Sequence, residues 1–245
     1  MPRAIAVVSF AVAVLSAALA VQMLGRDPRS VVLLVAFGAI LYVPALIGRL
    51  RMRRLLMSGD VERVIGTWAN SISRVRHPET MTPLLHATAY AAYGWHDAAR
   101  RALERAVKGP AWDAAIEQRL FIETLLDTFE GDRQRAVSKA TLLEALPIPS
   151  AGFLARRRIE ALRSGLGALA RAFAHASREG DARALERAAA ASPLVHWAMR
   201  YAEAVIAIDK GSQRQARDLL SRAPAWPAES AFREYHDELL SRVSA

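Results

Sequence analysis

The chain has 245 residues, a formal charge of +9 and no cysteine, which excludes disulfides, thiol chemistry and cysteine-based zinc sites. The charge is uneven: residues 1–58 hold seven arginines against one aspartate, whereas the remainder holds 26 basic and 23 acidic side chains. The basicity therefore belongs mostly to the N-terminus, and a nucleic-acid partner loses its main support.

Two apolar runs without a charged residue, Ala4–Leu24 and Val31–Gly48, open the chain. At about 1.5 Å per helical residue they span roughly 31 Å and 27 Å, close to the hydrocarbon thickness of a bilayer. A short polar turn, Gly25-Arg26-Asp27-Pro28-Arg29-Ser30, separates them, and Arg49, Arg51, Arg53 and Arg54 follow. The expected layout is a hairpin of two transmembrane helices (about 4–24 and 31–48) within residues 1–57, followed by a domain over 58–245. Both flanks are more basic than the turn, which predicts cytoplasmic termini and a cytoplasmic C-terminal domain. The rival reading is a secretory signal cleaved after Ala18-Leu19-Ala20; one span would then remain, with the domain still cytoplasmic. Only Lys108, Lys139 and Lys210 are lysines against thirty arginines, a usage that points to a GC-rich bacterial genome and hence to a bacterial inner membrane.

Beyond Met57 a glycine recurs with similar sequence after it, at Gly59, Gly94, Gly131, Gly180 and Gly211. Each is expected to end a helix in the left-handed conformation, with Asp60, Asp132, Asp181 or Ser212 capping the next. The predicted unit is helix, tight turn, helix, which gives an all-α chain built of stacked α-hairpins. Leu84, Ala87 and Ala91 fall at helical spacing before Gly94, and Ala99, Ala102, Leu103 and Ala106 do so after it. The long segment from Phe153 to Arg178 alternates an apolar stripe (Ile159, Leu162, Leu166, Leu169, Phe173) with Arg156, Glu160, Arg163, Arg171 and Arg178, expected to be solvated. Gly109-Pro110, Pro147–Ser150, Ser192-Pro193 and Pro224–Pro227 punctuate the units.

The pattern Ala87, Tyr90, Gly94, Ala99, Leu103, Ala106 resembles the tetratricopeptide repeat. The last copy, Ala204, Ala207, Gly211, Ala216, Leu220 and Ala223, departs only in lacking the aromatic. The middle copies depart more: Asp127 stands at the aromatic position and Leu185 at an alanine position, and the interval between Gly131 and Gly180 exceeds the usual repeat of about 34 residues. The resemblance implies a curved α-solenoid with first helices on its inner face, and ligands lying along them. The corresponding positions are Leu84 and Thr88, Phe121 and Leu125, Tyr201 and Val205. None is Lys or Asn, so the family's carboxylate clamp is not expected. The six residues are read either as a partner-binding strip for an amphipathic helix or apolar peptide, or as core. In arrangement the chain is also similar to the HemY-type haem-biosynthesis proteins, which carry two N-terminal spans ahead of such repeats.

No catalytic constellation emerges. The histidines at 77, 86, 96, 175, 196 and 236 form no helical ligand pairs, and there is no phosphate loop or nucleophile elbow. Glu234, His236, Asp237 and Glu238 are adjacent in sequence and so point in different directions on a helix. Arg156-Arg157-Arg158 is read as a solvated run able to touch anionic headgroups or an acidic partner. The expectation is a membrane-anchored scaffold or adaptor that recruits other proteins or peptides, without catalysis, cofactor or metal. The alternative is a HemY-like accessory protein of a membrane-associated biosynthetic pathway.

Overall fold

The computed structural model describes residues 28–72 and 75–244; of 28–39, 41, 45, 70–72 and 244 it describes the backbone only. The chain divides into two units, Met1–Arg53 and Arg54–Ala245. Helix α1 (Pro28–Met57), whose last turn belongs to the second unit, begins on a proline, whose missing N–H is no loss in a first turn, and runs on through Pro44. Ile40, Tyr42, Val43, Leu46, Ile47 and Leu50 project from it exposed. Among the described residues no helix is long and apolar enough to cross a membrane. The run 4–24 lies outside them, as do many side chains of 31–48.

The second unit is all-α, with no strand among the described residues. After α2 (Val61–Ile72) come α3 (Pro78–Ala92), α4 (His96–Arg105), the short α5 (Pro110–Ala114), α6 (Ile116–Phe129), α7 (Arg133–Ala145) and α8 (Phe153–Phe173). Then follow α9 (Asp181–Ala191), a 3-10 turn at Pro193–Val195, α10 (His196–Asp209), α11 (Gln213–Leu220) and α12 (Ala231–Ser244). Helices pack as successive hairpins, α3 with α4, α6 with α7, α8 with α9 and α10 with α11, while α3, α6, α8, α10 and α12 each lie against the next in that row.

All five recurring glycines have positive φ, between 73° and 90°. Gly180, however, opens α9, and α8 ends seven residues earlier at Phe173, with His175 just beyond it left-handed at φ 53°. Asp60 and Asp132 cap as expected, accepting from the Arg63 and Arg135 amides at 3.1 and 3.2 Å, whereas Ser212 makes no side-chain cap. Asp181 turns back instead, taking the Arg178 amide at 2.8 Å and both donors of Arg171.

The departures from the repeat pattern have local compensations. Asp127 is buried and ion-paired with Lys139 of α7 at 2.7 Å, so a charge pair joins the hairpin where an aromatic would have packed. In the α8–α9 hairpin the close approach comes from Gly165, where an added Cβ would lie 2.2 Å from the Ala188 Cβ. The long interval is taken up by the 21 residues of α8.

The row of first helices is covered at one end. The segment from Trp226 to Leu239 turns back and covers the C-terminal ends of α3, α6 and α8. Phe232 and Tyr235 sit edge-on to Phe129 at 4.8 and 5.6 Å, and Tyr235 also meets Phe173 at 5.7 Å. Hydrogen bonds fix this return: Ser230 Oγ donates to the Tyr93 carbonyl (2.6 Å), the Ala231 amide to the Gly94 carbonyl (2.9 Å), and Trp226 Nε1 to the Tyr201 hydroxyl (2.6 Å). At the other side of the cluster, Tyr93 OH and Trp197 Nε1 donate to the Leu56 and Met57 carbonyls, which as helix-terminal acceptors have no intrahelical donor. Burial raises the Tyr201 phenol above its ordinary range and lowers His236, whose imidazole lies 3.3 Å from the hydroxyl.

Candidate functional site

The opposite, N-terminal halves of α3 and α6 are not covered. Between them lies an apolar cleft of about 780 Å³, within the range of ligand-sized sites. Met81, Leu85 and Thr88 of α3 form one wall, at the spacing that aligns side chains along a helix. Gln118 and Phe121 of α6 form the other, with Leu162 of α8 and Leu194 of the 3-10 turn closing the floor. Ala111, Ala114 and Ala115 of α5 and its junction are small enough to leave the space open. Arg76, His77 and Glu117 supply polar groups around it.

Local bonds hold these walls. Thr80 Oγ1 donates to the Val107 carbonyl at 2.8 Å and ties the start of α3 to the α4–α5 connection. Arg119 lies over the Trp112 ring at 4.6 Å and donates to the Trp112 carbonyl, fixing α5 on α6. Gln118 Nε2 reaches across to Thr88 Oγ1 (3.1 Å), whose own proton goes to the Leu84 carbonyl (2.7 Å). Thr88 therefore has no donor left for a ligand, while the Gln118 carbonyl oxygen keeps its acceptor sites.

Behind the cleft stands Arg163, which the sequence pattern places on a solvated stripe. It is 5% exposed. Its guanidinium donates to Glu117 Oε1 (3.0 Å), to the Leu146 carbonyl, and to the Pro147 carbonyl (3.3 Å). One side chain thus joins α6, the end of α7 and α8. A helical stripe records spacing only, and it cannot tell a solvated arginine from one that satisfies the carbonyls of a neighbouring helix end. Arg171 departs from the stripe as well, half-buried in an ion pair with Asp181.

The six residues of the expected partner strip separate. Leu84, Leu125, Tyr201 and Val205 are at most 6% exposed and belong to the core, so the strip reading does not hold for them. Thr88 and Phe121 alone line the cleft. Two physical reasons account for this. On α3 the cleft-lining stripe is the half-buried Met81-Leu85-Thr88, rotated one residue, or about 100°, from Leu84-Ala87-Ala91. On α6, Leu125 shares Phe121's stripe but lies one turn nearer the covered end. Spacing puts Leu85 and Leu162 on apolar stripes but does not assign them, Gln118 or Leu194 to a cleft, because nothing separates a cleft-lining leucine from a core leucine by type alone.

The repeat-signature residues occupy packing positions: Ala87, Ala99, Ala204 and Ala216 are fully buried, Ala106 and Leu220 nearly so, and Tyr90, Leu103 and Ala223 half-buried. Among the described residues no group of three or more His, Asp and Glu could hold a metal ion. His236 faces Tyr201 while Glu238 pairs outward with Arg242, so the C-terminal acidic cluster is split. His96 is half-buried, stacked on Phe129 at 6.2 Å, and burial lowers its basicity. His175 pairs with Asp209 at 3.0 Å, a contact between residues far apart in sequence. Comparison with family models, curated proteins and solved structures finds no match, so the chain stands as an all-α protein of helices packed in successive pairs.

Proposed function

We propose that the protein is a membrane-anchored adaptor whose tetratricopeptide-like domain takes the apolar face of a partner protein segment into the α3–α6 cleft. The cleft itself carries this reading: most of its lining is apolar, with Arg76, His77, Thr88, Glu117, Gln118 and Ser192 as its polar members. Such a site suits an amphipathic helix, with apolar anchors at helical spacing meeting Met81, Leu85 and Phe121. The positive φ at five spaced glycines supports the repeat assignment. The uncharged runs 4–24 and 31–48, the arginines after them, and the exposed apolar side chains of α1 support an inner-membrane anchor with a cytoplasmic domain. Tethering would raise the local concentration of a weakly bound partner. No catalytic role is proposed. A place as accessory to a membrane-associated biosynthetic pathway is compatible with the same architecture, and partner identity separates the two.

Site-specific photo-crosslinking in native membranes tests the reading. A photoreactive residue at position 85 or 121 should give one and the same discrete protein adduct, and position 142, exposed on α7, should not. Adducts at position 142 alone, or none at 85 and 121, would contradict it.

A further inference from the structure

At the start of α8, Phe153 and Leu154 are adjacent and 75% and 72% exposed, more than any other large apolar side chain described. Arg156, Arg157 and Arg158 follow at once. Leu154, Arg157 and Arg158 share a shallow trough of about 520 Å³ with Arg187 of α9, floored by Ala161, Ala190 and Ala191. The carboxylate here, Glu160, is taken by Arg156 at 2.9 Å, and neither Arg157 nor Arg158 has an ion pair among the described residues. Folding gives no reason for this arrangement. The first turn of α8 has no acidic residue and no side-chain cap, and cations close to a helix N-terminus oppose the helix dipole. Two large apolar side chains in water forgo the burial that stabilises the rest of the domain.

We infer that this corner of the domain is a second, peripheral membrane contact, with Phe153 and Leu154 entering the interface of an anionic bilayer while Arg157, Arg158 and Arg187 meet lipid phosphates. Aromatic and aliphatic tips beside a cationic cluster are the pairing that interfacial binding uses, since insertion and headgroup attraction add. The inference rests on the membrane anchor proposed above, which would keep the domain beside a bilayer.

The test uses the full chain in nanodiscs of phosphatidylcholine, with and without phosphatidylglycerol. Because the protein has no cysteine, Leu154→Cys carries a single environment-sensitive label, and Leu142→Cys serves as an exposed control. The label at 154 should shift to shorter wavelength and be quenched by lipid-borne bromine in anionic discs, while the label at 142 stays unquenched. Arg157→Glu and Arg158→Glu should each lower the inserted-to-free ratio roughly fivefold or more, from the attraction of one basic residue to an anionic surface. No quenching, or equal quenching in neutral discs, overturns the inference. So does a shift with free inorganic phosphate alone, which would mean a soluble anion site, or a concentration-dependent shift in detergent, which would mean a second copy. Alkaline carbonate washing tests the anchor separately. A chain retained but unquenched keeps the anchor and removes the contact; a chain washed off, yet quenched when discs are added, does the reverse.

Discussion

Substituting Gly94 by alanine tests whether the C-terminal segment is packed onto the first hairpin. Gly94 has φ +74°, and an added Cβ would lie 2.9 Å from Phe232 Cδ1 and 3.1 Å from the Phe232 amide nitrogen. Two costs add: about 1–2 kcal/mol for placing a Cβ in the left-handed region, and about 1–3 kcal/mol for overpacking against Phe232 and its backbone. Gly131 separates them. Its φ is +86°, but nothing lies within 4 Å of its added Cβ, so Gly131→Ala should incur only the first cost. Urea unfolding of the detergent-solubilised full chain, followed by tryptophan fluorescence, reads both. Gly94→Ala should be destabilised by about 1–3 kcal/mol more than Gly131→Ala. Phe232→Ala removes the ring but leaves the amide nitrogen at 3.1 Å, so in that background the excess cost of Gly94→Ala should shrink without vanishing. Equal costs in the wild-type background would mean that Phe232 does not sit on the Gly94 turn, and the closure of the domain would have to be abandoned.

Other consequences follow from the same packing. Gly165→Ala should force α8 and α9 apart and cost about 1–3 kcal/mol or more in the same unfolding assay, because the added methyl meets Ala188 and not a flexible side chain. Arg163→Ala should cost about 1–3 kcal/mol, leaving the Leu146 and Pro147 carbonyls without their donor; a neutral effect in the unfolding assay would put Arg163 back on the solvated face. Burial lowers His96, His86 and His236 below the ordinary histidine value of 6.5. The folded state then binds fewer protons than the unfolded one, so this part of the stability is complete above about pH 6.5 and is lost progressively below it. His96→Phe should flatten that decline in urea midpoints measured between pH 7.5 and 5, and an unchanged slope would exclude His96 as a source.

What the sequence makes legible is the local grammar. Glycine needs a positive φ at a tight turn, so Gly59, Gly94, Gly131 and Gly211 announce themselves, and proline marks the joints between hairpins. Buried alanines such as Ala87, Ala99 and Ala216 are readable for the same reason, since spacing within one helix decides which side they take. The return of the C-terminal segment is different in kind. Trp226, Phe232 and Tyr235 look in sequence like any apolar residues of a terminal helix, and their contacts with Tyr93 and Phe129 join residues more than a hundred positions apart. That return covers Tyr201 with Trp226 and Phe232, so the partner strip could not be placed from spacing alone. Arg163 and Asp127 carry the same lesson for charge, because each is buried only where a distant partner satisfies it.

Cysteine accessibility measures the division between core strip and open cleft most directly. In a chain without native cysteine, Leu85→Cys, Phe121→Cys, Leu125→Cys and Val205→Cys each place one thiol. Maleimide labelling of the folded, full-length protein should modify positions 85 and 121 readily, while 125 and 205 stay protected until urea unfolds the domain. Labelling at 125 and 205 as fast as at 121, with helicity intact, would mean that these side chains line an open face and do not belong to the core.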